Sequence, residues 1–177
     1  MKTNLIVLLL SLFITLPSWA QQDPRPGDVD TVENLVTALY DAYGTQNGSD
    51  FDWNRIRTLF HPNAILMPNI EQRQGSLDAL TLDEFQEWID SATTQLREGG
   101  GSFLEIGYHT QVDRYGNIAN VMSSYKKYLN GELIPQFGIN SIQMVFNQDR
   151  WWITGIAWDE TYSGGPIPDK YGGTPDS

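Results

Sequence analysis

Four long runs, FLEIGYHTQV, IANVMSSYKKYL, FGINSIQMVF and WWITGIAW, occupy residues 103–112, 118–129, 137–146 and 151–158. They are rich in Val, Ile, Tyr and Trp, side chains that fit a pleated, half-buried surface. Turn residues separate them at 113–117 and at 147–150. The second half of the chain is therefore expected to be an antiparallel sheet built from hairpins. Such a sheet needs a cover for its apolar face, and the first half of the chain has to supply it.

The first half reads as helices. Asp30-Thr31-Val32-Glu33 has the form of a capping box, followed by Val32, Leu35, Val36, Leu39, Tyr40 and Tyr43 at three-four spacing. Residues 44–49 end that helix. A second, short helix is expected over about residues 51–60, with Ile56, Leu59 and Phe60 as its apolar face. Pro62 removes His61 from the helical region and sets the stop there. Residues 64–67 then read as a short strand closed by Pro68. Thr81-Leu82-Asp83-Glu84 is a second capping box, and Phe85, Trp88, Ile89, Ala92 and Leu96 make a third amphipathic helix. Three glycines at 99–101 form a flexible connection into the sheet. The run is not a phosphate loop, because it follows a helix and has no Lys-Ser/Thr partner. There is no internal repeat. The fold class is α+β: three N-terminal helices packed on a strongly curved antiparallel sheet.

In this order and spacing the elements resemble the nuclear transport factor 2-like superfamily, also called the SnoaL-like or cystatin-like cone fold. The residues that carry the resemblance are Tyr40-Asp41-Ala42-Tyr43, Asp52-Trp53, Leu59-Phe60-His61-Pro62-Asn63-Ala64, Ile118-Ala119-Asn120-Val121 and Trp151-Trp152-Ile153. It spans about residues 30–159. The resemblance implies a cone-shaped α+β barrel: a bent sheet wrapped around the long helix, a pocket open at one end, and a homodimer through the outer sheet face. The activities it implies range over isomerases, dehydratases, cyclases and proteins that only bind, so fold alone does not give function. Matched to ketosteroid isomerase, the oxyanion donor and the base fall on Leu39 and Pro68, and neither can do that work. Glu71, in a loop nearby, reads as a solvated carboxylate. Matched to scytalone dehydratase, the required aspartate falls on Gly44 and the two histidines on Leu104 and Met122, while the pocket asparagine corresponds to Asn140.

Residues 1–20 read as a signal peptide, with Lys2 ahead of an apolar run at 5–16 and Ser18-Trp19-Ala20 at the cleavage position. The protein is thus expected to be exported, to the periplasm or the medium, and to have no membrane contact once that segment is removed. A flexible leader follows over 21–29, the cone domain over 30–162 and an irregular Gly/Pro-rich tail over 163–177. The absence of cysteine excludes a disulfide framework. A balance of 22 acidic to 11 basic residues excludes nucleic acid as a partner.

The candidate acid–base groups are His109 and Asp41. His61 reads as a pre-proline loop residue rather than a base. If Leu104, Ile106 and Tyr108 face the pocket, strand alternation turns His109 outward, and a bulge would reverse that. Asp159 and Glu160 read either as an acid pair at the cone mouth or as a solvated strand end. The expected ligand-binding set is Tyr43, Leu66, Leu104, Tyr108, Met122, Asn140 and Ile142, a mixed apolar pocket with an amide for orientation. The same side chains would also serve to fill a solid core. Two histidines without ligand spacing give no metal site, and no cofactor is implied. The function expected is binding of a small, partly apolar molecule, with an acid–base enzyme or an interaction module through the outer sheet as alternatives.

Overall fold

The computed structural model describes residues 23–45, 48–68, 78–147 and 149–175. The signal-like segment and Glu71 lie outside them. Helix α1 spans Val32–Ala42. Its cap is Thr31, one residue later than the capping box placed it, and the Thr31 hydroxyl accepts the Asn34 N–H at 3.1 Å. Strand β1 is Gly44–Thr45, where only a helix end was expected. Helix α2 is Trp53–Leu59, capped by Asp52, whose carboxylate accepts the Arg55 N–H at 3.1 Å. Strand β2 is Phe60–Met67. The helix stop therefore comes at Leu59, ahead of the expected one, and His61 and Pro62 already belong to the strand. An edge strand tolerates proline, because one side of its backbone has no ladder partner to lose. Helix α3 is Leu82–Glu98, with the Thr81–Glu84 capping box formed as expected.

Strands β3 (Phe103–Tyr115), β4 (Ile118–Leu129), β5 (Glu132–Asn147) and β6 (Arg150–Glu160) form the antiparallel meander. The sheet order is β1-β3-β4-β5-β6-β2. At one edge β2 runs parallel to β6, a pairing that residue periodicity could not place. Register breaks at Gly107/His109, Lys126/Lys127 and Gln143/Met144 bend the long strands. The sheet curls into a half-barrel, which gives the α+β cone. Leu35 of α1, Ile56 and Leu59 of α2 and Val121, Ile142 and Ile153 of the sheet make one continuous core. Among the described residues no helix is long and apolar enough to cross a membrane.

Three segments read as loose are tied down. In the leader, Val29 is buried and its carbonyl accepts the Trp151 N–H at 2.9 Å. Asp28 holds Arg55 through two bonds of 2.8 and 2.9 Å. At the glycine run, the Gly101 carbonyl accepts the Gly48 N–H at 3.0 Å. In the tail, after the short helix α4 (Thr161–Gly164), a 3₁₀ turn at Asp169–Tyr171 lies against the outer face of β3 and β4. There the Ser124 hydroxyl donates to the Tyr171 carbonyl at 2.7 Å, and Tyr108 donates to Gly173 at 2.8 Å. A homodimer through this face would have to form around that strap.

Candidate functional site

The cone is not filled. A cavity of about 370 Å³ lies between the helices and the inner sheet face. Helix α1 contributes Leu39 and Tyr40 and its C-cap Tyr43, β2 contributes Phe60 and Leu66, and α3 contributes Phe85, Trp88, Ile89 and Thr93. The rings meet at varied angles. Tyr43 and Phe51 have centroids 5.3 Å apart at 36°, Tyr43 and Phe103 6.0 Å at 87°, and Phe85 and Trp158 5.6 Å at 73°. Tyr43 also stacks on Phe85, 6.0 Å apart at 24°, so the rings form a box with both stacked and edge-on walls.

The sheet supplies the polar floor, from β3 through β6. On β3, Phe103 and Glu105 point in. The Glu105 carboxylate accepts from the Asn140 amide at 3.3 Å, and the same amide donates to the Tyr40 hydroxyl at 3.2 Å. Tyr40 in turn donates to the Ser123 hydroxyl at 2.9 Å. Beside this chain, one Glu160 oxygen accepts from Lys127 at 2.7 Å and from Tyr125 at 3.1 Å. Glu160 is 3% exposed, so this carboxylate is taken from water and held by charge and hydroxyl together.

Burial pushes the Glu105 carboxyl up from 4.5 to about 7; the Asn140 bond and the nearby Lys127 oppose that shift, and Glu160 adds to it. Glu105 is half-buried and lines the cavity. Burial also pushes the hydroxyls of Tyr40, Tyr43 and Tyr125 up, which keeps them protonated as donors near neutral pH. The arrangement offers an apolar box, a carboxyl able to exist in both forms near pH 7, and fixed donors beside it.

Of the residues expected to bind ligand, Tyr43, Leu66 and Asn140 line the cavity. Ile142 is fully buried in the core behind it. Leu104, Tyr108 and Met122 are on the other face, because β3 and β4 point their odd-numbered residues inward up to the bulge. A one-residue register error moves every side chain to the opposite side. Leu104 instead packs beside Gly44, Tyr108 reaches the tail, and Met122 lines a depression under residues 164–168 with Ile139 and Ser141. His109 does face outward, but for a different reason than expected. The bulge leaves Tyr108 without a partner on β4, and His109 pairs with Ser124 on the outer side, against Gly172.

Asp41 is exposed, 3.9 Å from Arg55. His61 is at the rim of β2, its ring centroid 5.9 Å from that of Trp152, and its Nδ1 accepts the Asn63 N–H at 3.2 Å. Of the Asp159–Glu160 pair, Glu160 is inside and Asp159 is exposed. Among the described residues no cluster of three His, Asp or Glu is placed to hold a metal ion. Sequence reading missed Glu105, Lys127 and Tyr125. The available signal was a lone carboxylate in an apolar strand, two residues after Phe103 and two before Gly107.

No protein-family model matches the chain, and no curated protein matches its sequence. Solved structures do share the fold. A protein of unknown function with a cystatin-like fold from Nostoc punctiforme is 10% identical with a TM-score of 0.56, covering 75% of this chain and 90% of its own. A nuclear transport factor 2-like protein of unknown function from Pseudomonas putida is 10% identical with a TM-score of 0.54, covering 72% and 82%. A protein from Shewanella frigidimarina named as a candidate ketosteroid isomerase is 19% identical with a TM-score of 0.51, covering 71% and 92%.

Proposed function

We propose that this chain, which has the nuclear transport factor 2-like fold, binds one small, largely apolar molecule in its cone. The observation that supports this most directly is the pairing of an aromatic box with a short polar chain, Glu105–Asn140–Tyr40, at its floor. Pockets that are mostly apolar with a few converging polar groups are the usual form of small-molecule sites. The polar chain orients one oxygen or nitrogen of the ligand, and the rings hold the rest. Trp88 and Trp158 line the cavity, so ligand entry is readable in tryptophan fluorescence. Small ring compounds bearing one polar group are expected to give a saturable change. Thr93→Trp, which fills the cavity from the half-buried face of α3, removes that change without unfolding the protein. Saturable binding that survives Thr93→Trp would place the ligand elsewhere and sink the reading.

A second reading, an acid–base enzyme, is favoured by Glu105 itself. A carboxyl near 7 at the floor of a box can take a proton from a bound molecule and return it. The candidate isomerase among the structural neighbours is consistent with that, although Leu39 and Pro68 stand where such an isomerase keeps its donor and base. A bound compound that gains deuterium from D₂O with the parent protein, and not with Glu105→Gln, supports catalysis. Exchange that persists in the variant counts against it. Export is part of the proposal and rests on residues 1–20; a mature N-terminus at Gln21, read by mass spectrometry on the exported protein, is the expected result.

A further inference from the structure

Among the described residues the charges in the cavity are not balanced. Lys127 is engaged by Glu160 at 2.7 Å, and Tyr125 adds a bond to the same oxygen. Glu105 is directly opposite Lys127 on the paired strands, yet among the described residues no basic side chain is within ion-pair distance of it. Its one described hydrogen bond comes from the neutral Asn140 amide at 3.3 Å. The groups that face it are Tyr40 from α1 and Tyr43 at its C-cap, Tyr125 and Lys127 from β4, Asn140 from β5 and Glu160 from β6. With Glu105 ionised, two carboxylates share one ammonium. An anionic ligand would add a third negative charge to a low-dielectric space. A neutral ligand would leave the imbalance in place. A cation removes it, and Trp88 and Trp158, side chains of the kind that attract positive charge, line the same cavity.

We propose that the ligand carries a positively charged nitrogen on an apolar body, seated within the aromatic box with its charge against Glu105. This rests on the reading of the cone as a binding site. Lys127 stays with Glu160 and serves to keep that second carboxylate from competing for the cation. Among the described residues the site thus has one acid without an ion-pair partner, and selectivity for ammonium over its uncharged analogue follows from it.

The test uses two probes of one shape, benzyltrimethylammonium and its carbon isostere neopentylbenzene, titrated into the purified protein by calorimetry. The quaternary ion cannot lose its charge, so any pH dependence belongs to the protein. At pH 8 the ion is expected to bind about tenfold more tightly than the isostere. That advantage should shrink as pH falls below about 7, where Glu105 takes up its proton. Glu105→Gln, confirmed as folded by circular dichroism, should abolish the advantage while still binding the isostere. Equal binding of the two probes by the parent protein overturns the cation proposal and leaves the binding reading standing. A cation preference undiminished in Glu105→Gln also overturns it. Failure of both probes to bind overturns both readings.

Discussion

Gly107 and Gly138 leave the space that two tyrosine rings occupy. A Cβ on Gly107 would run into the Tyr40 ring, and one on Gly138 would run into the Tyr125 ring and hydroxyl. Gly138 lies opposite Tyr125 on one side and Glu160 on the other, so its missing side chain lets the phenol reach the carboxylate. Gly138→Ala is expected to cost about 1–3 kcal/mol, as overpacking does, measured by urea unfolding. Glu105 makes a prediction of opposite sign. Its folded value of about 7 lies above its ordinary 4.5, so the folded chain holds this proton more tightly than the unfolded one. The stability it contributes is full below pH 4.5 and is lost as pH rises through about 7. The loss is on the order of 3 kcal/mol. Glu105→Gln should therefore match the parent near pH 4 and exceed it at pH 8. A variant that is less stable than the parent at both pH values would contradict this.

At the scale of elements, the two long helices differ in how they are held. Helix α1 buries Val32, Leu35, Val36, Ala38, Leu39 and Ala42, whereas α3 fully buries only Phe85. Helix α3 is the thin wall of the cavity and depends more on its ends and its polar ties. Thr81 and Glu84 cap it, the Trp53 indole donates to Asp90 at 3.0 Å, and Arg97 pairs with Asp50 and Asp90. Thr81→Ala is expected to lower global stability by about 1 kcal/mol, seen in a urea titration. Amides of α3 should also exchange with solvent faster than those of α1, because local opening is easiest where little apolar surface is buried. The strands show what alternation can and cannot tell. The rule that neighbours on a strand face opposite ways holds in β3 on either side of its bulge, but the rule does not say which set faces in.

At the scale of the whole molecule, both ends of the described chain close the fold. Residues 25–29 seal the base of α2 through Asp28–Arg55, and residues 165–175 cross the outside of the sheet. Removing residues 165–177 takes away the buried Ile167, uncovers Met122 and Ile139 beside it and strips Ser124 and Tyr108 of their carbonyl partners. Burial of one such isoleucine is worth about 2 kcal/mol, so the truncated chain should unfold at lower urea by at least that much. Ligand binding in the cone should persist, since no described residue of the strap lines the cavity. Loss of binding at unchanged stability would instead tie the strap to the site.

The sequence by itself determined the type and order of the main elements, α1 to α3 and β2 to β6, and left β1, α4 and the 3₁₀ turn unread. Capping residues, three-four apolar spacing and β-branched runs act locally, so Thr81 and Phe85 on α3 and the β3–β6 meander could be read from neighbours in the chain. The polarity of the set was legible too: Tyr43, Leu66 and Asn140 were named and do line the cavity. What only the tertiary structure decided was which side of each strand became the inside, that β2 pairs in parallel with β6, and that the cone stays hollow. Those outcomes depend on contacts between residues far apart in sequence and on bulges whose place no local signal fixes. A one-residue difference in the register of β3 puts Glu105 rather than Leu104 on the cavity floor, and with it an acid in place of the expected candidates His109 and Asp41.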